Sequence, residues 1–163
     1  LLLYAKEVLV NYPGAPVVFD VKCTHHLSRM IELWGGKPIM SRTGHSILKQ
    51  RMLDEKSPFA GEMSGHIFFN DEWFGFDDGA YVGARVLRLL ASQAQSIDAL
   101  FASLPDSYHT PELKLPMADN KKPAFMNALI NEGDFGDTKQ ITIDGLRVDF
   151  GDGWGVSTPI QYV

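Results

Sequence analysis

With one cysteine, Cys23, in 163 residues, the chain has no internal disulfide framework, and a lone thiol fits a reducing compartment. Basic charge is also scarce. Fifteen Lys and Arg against twenty Asp and Glu leave a net charge of −5, with no general attraction for nucleic acid or an anionic membrane. Any phosphate must therefore be met locally. No apolar run approaches the length of a membrane span. Leu1-Leu2-Leu3 passes at once into Tyr4, Lys6 and Glu7, without the basic start and sustained apolar stretch of a secretory leader. Internal repeats and low-complexity tracts are missing too. The expectation is a cytoplasmic globular protein with neither nucleic acid nor membrane as partner. Its apolar content of 45% is enough for one domain or two small ones to bury a core.

What is present alternates between helical and extended patterning, the signature of an α/β layer structure. Leu2, Leu3, Val8 and Leu9 form a helical face that stops at Asn11-Tyr12-Pro13-Gly14. Pro16 to Val21 is short, β-branched and bounded by turn residues, a buried strand. Thr24 caps a second helix with Leu27, Met30, Ile31 and Leu33 on its apolar side, closed by Gly35-Gly36. Lys37 to Met40 reads as a strand. His45 to Glu55 reads as a helix with Ile47, Leu48, Met52 and Leu53 inward, and Phe59 to Met63 as a further extended run. In a sheet of this kind ligands meet the loops at the carboxyl ends of strands. Lys22 follows the first strand, His45 follows the second after Ser41-Arg42-Thr43-Gly44, and the Glu62 loop follows the third. All three are expected at one edge.

Beyond that loop, His66 to Phe69 reads as a strand and Asn70-Asp71-Glu72 as a turn. Asp77 or Asp78 caps a long helix with Tyr81, Val82, Val86, Leu87, Leu89 and Leu90 on its apolar side. The same acidic pair suits magnesium chemistry, but the capping role is preferred and no metal ligand is assigned. A helix from Ser96 to Ser103 leads to a boundary at Leu104-Pro105-Asp106-Ser107. The expected domains are therefore 1–105 and 106–163. In the second, Glu112 to Leu115 reads as a strand, Lys122 to Ile130 as a helix, and Gln140 to Ile143 with Leu146 to Phe150 as a hairpin turned by Asp144-Gly145.

The segment Gly61-Glu62-Met63-Ser64-Gly65-His66 sets a carboxylate, a hydroxyl and an imidazole on alternate positions between glycines. A carboxylate accepts hydroxyl protons, Ser gives or takes one, and His donates to an oxyanion, so the loop suits vicinal sugar hydroxyls. The competing reading is a polar hairpin beside a strand. Four stretches together decide it: Phe19-Asp20-Val21-Lys22-Cys23-Thr24, Thr43-Gly44-His45-Ser46, Gly61 to His66 running into Ile67-Phe68-Phe69, and Trp73-Phe74-Gly75-Phe76-Asp77-Asp78-Gly79. Their order and spacing resemble the carboxy-terminal half of the phosphomannomutase/phosphoglucomutase branch of the α-D-phosphohexomutases, from most of the third domain to part of the fourth.

That resemblance implies a three-layer α/β domain with a mixed sheet followed by an incomplete α+β domain. It also implies an isomerase that moves a phosphoryl group between an enzyme phosphoserine and a mannose or glucose phosphate through a hexose 1,6-bisphosphate. The phosphoserine and the Mg2+ loop belong to preceding domains outside this chain, so the fragment alone is expected to be inactive. Glu62 and Ser64 match the sugar-binding pair. Lys22 and His45 match positions beside the transferred phosphoryl group, where a cation or polarised imidazole stabilises developing charge. For Lys22 the alternative is a solvated strand-end lysine, for His45 a helix-start histidine bonding local backbone. His66 is either a ligand contact or a strand residue held by packing. After Gly153-Trp154-Gly155 the family continues with an arginine and then Ser-Asn-Thr. Here Val156-Ser157-Thr158-Pro159 follows, by omission of loop residues or by a true deletion, and Ser157 and Thr158 are the remaining phosphate contacts. Two alternatives stay open, a phosphoglucosamine mutase fragment and a non-catalytic sugar-phosphate binding module. The Glu-Met-Ser order of the loop argues against the first.

Overall fold

In the computed structural model residues 1–159 are described. The chain forms two compact units, Leu1–Ser107 and a second that begins at Tyr108. The first unit opens with α1 (Leu2–Asn11), which buries Tyr4, Ala5, Val8 and Leu9 along one stripe. Then come β1 (Pro16–Asp20), α2 (His25–Leu33), β2 (Lys37–Ser41), α3 (His45–Asp54), β3 (Phe59–Gly61), β4 (Ile67–Phe69), α4 (Gly79–Ala91) and α5 (Ile97–Ala102). Thr24 begins α2 by accepting a hydrogen bond from His26 N–H at 3.3 Å. Asp78 begins α4 by accepting from Ala80 and Tyr81 N–H, both at 3.0 Å.

The strands lie in the order β2-β1-β3-β4, with β1 parallel to β2 and β3 and with β4 antiparallel to β3. This is the expected α/β architecture with a mixed sheet. Alternation along the strands divides the core between its faces. Val17, Phe19, Phe59 and Phe69 pack with Tyr4, Val8 and Leu9 of α1 and Leu27 and Ile31 of α2, joined by Tyr81, Val82 and Val86 of α4. Val18, Ala60 and Phe68 pack with Leu48 and Met52 of α3. Helices thus cover both faces, giving three layers.

Several inward assignments need correcting. In α3 only Leu48 and Met52 of the four expected residues are buried, while Ile47 and Leu53 remain 39% and 46% exposed. One helical stripe at i and i+4 suffices to cover a sheet this narrow, and the flanking positions turn away from it. In α4, Leu87 is exposed and Arg85 is buried in the stripe with Leu89. Hydropathy hides an arginine whose charge is met inside. Arg85 Nη1 donates to both oxygens of Asp71 at 3.0 and 2.9 Å, Nη2 pairs with Glu7 at 3.3 Å, and the guanidinium lies 4.2 Å from the Phe69 ring centre. Arg88 continues the latch to Glu7 (2.8 Å) and Glu72 (2.5 Å), and Tyr4 Oη–H donates to Val82 C=O at 3.0 Å, so α4 is fastened to α1.

The second unit carries α6 (Lys122–Glu132) and an antiparallel sheet β5-β6-β7 made of Lys139–Ile141, Leu146–Asp149 and Trp154–Ser157. Its core is Met126, Leu146 and Val148, with Leu129, Ile130 and Phe135 against them. The strand expected at Glu112 to Leu115 does not form, and Leu113 and Leu115 are 78% and 69% exposed. Two alternating leucines with no partnering edge or apolar face do not hold an extended ladder. β7 adds a third strand to the expected hairpin. It pairs along β6 from Leu146↔Ser157 to Asp149↔Trp154, and the buried Arg147 guanidinium lies 3.9 Å from the Trp154 ring centre.

Candidate functional site

Because β1, β2 and β3 are parallel and in register, with Asp20 opposite Ser41 and Phe19 opposite Gly61, the segments after all three leave the sheet at one edge. Lys22 is half-buried in the turn after β1, and His45 is exposed as the first residue of α3. The segment after β3 folds back at once, with Gly65 N–H donating to Glu62 C=O (3.1 Å) and Glu62 N–H to His66 C=O (2.8 Å). Gly65 sits at φ +96°, which a side chain rarely adopts.

Glu62 is enclosed, with only 3% of its surface exposed, and both carboxylate oxygens are engaged. Oε1 accepts from Gly44 N–H at 3.0 Å and Oε2 from Ser64 Oγ–H at 2.9 Å. The first bond requires the Gly44 amide to face the third loop, and Gly44 stands at φ +128° to do so. Ser64 itself is exposed. The structure therefore brings Glu62 and Ser64 into direct contact and ties them to the residue before His45. The His45 and His66 rings stand 5.6 Å apart. His66 Nδ1 lies 2.5 Å from Asp77 Oδ2, and Asp77 Oδ1 accepts from Ile67 N–H at 3.4 Å. The two contacts tie the His66 ring and the start of β4 to one carboxylate, that of Asp77.

Ser157 and Thr158 lie in the other unit. Ser157 closes β7 and its hydroxyl points at Met126 Sδ, 3.8 Å away. Thr158 comes next, half-buried.

Two acidic residues at this edge have roles that the sequence does not announce. Asp77 is not a cap; Asp78 alone caps α4, and Asp77 orients His66. Asp20 ends β1 with no exposed surface. Its Oδ1 accepts from Met63 N–H (3.0 Å) and Cys23 Sγ–H (2.9 Å), and its Oδ2 from Thr43 Oγ1–H (3.2 Å). An acid directly after Val17-Val18-Phe19, inside an apolar strand, is the available signal. Burial, and then the Asp20 charge beside it, push the Cys23 thiol well above its ordinary range.

An α/β/α layer domain with a polar site built from loops at the carboxyl edge of its parallel strands is the class these features define. A family profile described as phosphoglucomutase/phosphomannomutase, alpha/beta/alpha domain III, matches residues 1–108. A phosphomannomutase/phosphoglucomutase of Pseudomonas putida is 46% identical over 156 residues, covering 96% of this chain and 34% of that protein. A phosphoglucomutase of Neisseria meningitidis is 46% identical over 167 residues, covering 98% of this chain and 36% of that protein. The crystal structure of a phosphoglucomutase/phosphomannomutase family protein from Burkholderia thailandensis superposes with a TM-score of 0.87 at 44% identity, over 98% of this chain and 34% of that one. The chain belongs to the phosphoglucomutase/phosphomannomutase family. It spans about a third of the length of the curated relatives it matches.

Proposed function

We propose that this chain supplies sugar recognition to a phosphohexomutase that interconverts hexose 1-phosphates and 6-phosphates of the mannose and glucose series. The complete protein would work through an enzyme phosphoserine and a bisphosphorylated sugar, in the cytoplasm. Glu62 with Ser64 carries the reading. A carboxylate already desolvated and fixed by Gly44 N–H and Ser64 Oγ–H needs little reorganisation to receive sugar hydroxyls on its remaining lone pairs. Ser64, exposed beside it, meets the sugar first. Support comes from the family membership and from the shared strand edge.

In this reading Lys22 and His45 stand beside the phosphoryl group in transfer, and His66 presents Nε2 to a sugar or phosphate oxygen while Asp77 holds its ring. Ser157 and Thr158 contact the other phosphate, and Ser157 must turn from Met126 to do so. Domain limits of 1–105 and 106–163 are part of the proposal, the first being the sugar-binding domain and the second part of a phosphate-binding one. Mg2+ belongs to another portion of the complete protein. Among the described residues no three His, Cys, Asp or Glu side chains gather to hold a metal ion. Among the same residues no helix is long and apolar enough to cross a membrane.

The test is Glu62→Ala in the complete gene product. Loss of a charged hydrogen-bond acceptor is expected to lower kcat/KM for mannose 1-phosphate and glucose 1-phosphate by about tenfold to a hundredfold. Undiminished turnover would refute the assigned grip. Preferred turnover of glucosamine 1-phosphate by the unmodified protein would move the assignment to the amino-sugar mutases, and binding without turnover would make it a non-catalytic module.

A further inference from the structure

We propose that Asp20 is a positioning residue for the sugar grip, one carboxylate that holds the three loops of the site in register. The inference rests on the reading of Glu62 and Ser64 as sugar contacts. Asp20 ends β1, the strand between β2 and β3, so it stands between the segments leaving both neighbours. Each of the three segments gives it a donor: Cys23 from the first, Thr43 from the second and the Met63 amide from the third.

Those donors are placed to matter. Met63 stands between Glu62 and Ser64, and Thr43 immediately precedes Gly44, whose amide holds Glu62. Asp20 and Glu62 thus form two sets of cross-links, both buried, Asp20 fixing residues 43 and 63 and Glu62 fixing 44 and 64. Core packing gives no reason for a charge here. A carboxylate with no exposed surface is costly to bury, and an apolar side chain at the end of Val17-Val18-Phe19 would suit the core at least as well. What the acid adds is directed acceptance from three separate loops, the support that a site built on loops requires if its contacts are to stay in place.

The experiment is a double-mutant cycle on the complete gene product with mannose 1-phosphate. Asp20→Ala is expected to raise KM about tenfold, the scale of lost charged hydrogen bonds. Asp20→Asn keeps an acceptor oxygen for Met63 and Cys23, and is expected to stay within about threefold of the unmodified enzyme. In a Ser64→Ala background, Asp20→Ala should add less than about threefold, because the grip it supports is already lost. Full additivity, as from general destabilisation, overturns the proposal, as does an unchanged KM in Asp20→Ala. If Asp20→Ala does not fold, Thr43→Val removes a single tether, and its KM must rise and be non-additive with Ser64→Ala. Amide hydrogen exchange gives a readout independent of turnover: protection at Met63 and Gly44 should fall while β1 and β3 keep theirs, and unchanged protection at Met63 overturns the role. Were Ser64→Ala itself silent in KM, the sugar assignment would fail, and exchange at Met63 and Gly44 would decide the tether alone.

Discussion

At the scale of single residues, the site is a small set of polar atoms whose partners are already chosen. Cys23 offers a direct check on the buried acid beside it. Its raised pKa comes first from burial and then from the Asp20 charge, so the folded state favours the neutral thiol. In the sign convention of linkage, this stability is fully present below the ordinary thiol pKa of 9.0 and declines as pH rises beyond it, because the unfolded chain loses its proton first. Thiol alkylation at about pH 8 is therefore expected to be slow in the native protein and fast after urea unfolding, measured by mass spectrometry. Equal rates would show an accessible thiolate. The contact between Glu62 and Ser64 is foreshadowed in the sequence, because alternate polar residues between glycines place both side chains in one tight turn. Asp20 is not, since its role exists only once residues 43 and 63 have been brought to it by two crossovers. Asp77 passes for a second cap because helix-start chemistry looks identical in sequence whichever aspartate performs it.

At the scale of elements, α4 separates what burial does from what a surface pair does. Arg85 and Asp71 are enclosed, with side chains 2% and 0% exposed. Arg85→Leu strands the Asp71 carboxylate and is expected to cost about 3–5 kcal/mol in urea unfolding. Arg88 is exposed, and Arg88→Ala is expected to cost under about 1 kcal/mol in the same measurement. Its hydrogen bond holds the Glu72 carboxyl below its ordinary value of 4.5, so this small contribution is present above that pH and is lost as pH falls through the lowered value. Asp78→Ala removes both bonds at the helix start and should cost about 1 kcal/mol. The helices and the parallel strands are readable from period and caps. The failures have physical causes: Arg85 defeats a hydropathy pattern because its counter-charges come from α1 and from the turn after β4, and the leucines at 113 and 115 imitate a strand with nothing to pair it.

At the scale of the molecule, the first unit has its own sheet, covered on both faces, and its own internal ion cluster. Residues 1–107 expressed alone are expected to unfold cooperatively and to give amide resonances that overlay those of the same residues in the longer chain. A collapsed, poorly dispersed spectrum would show that the unit depends on the residues from Tyr108 onward. The sheet order carries a further consequence for how such a chain comes into being. β1 is made about forty residues before its second neighbour, β3. Throughout that interval Val17-Val18-Phe19, the stretch that ends wholly enclosed, stands with one flank open, so the nascent segment carries an unpaired apolar strand until the hairpin of β3 and β4 closes over it.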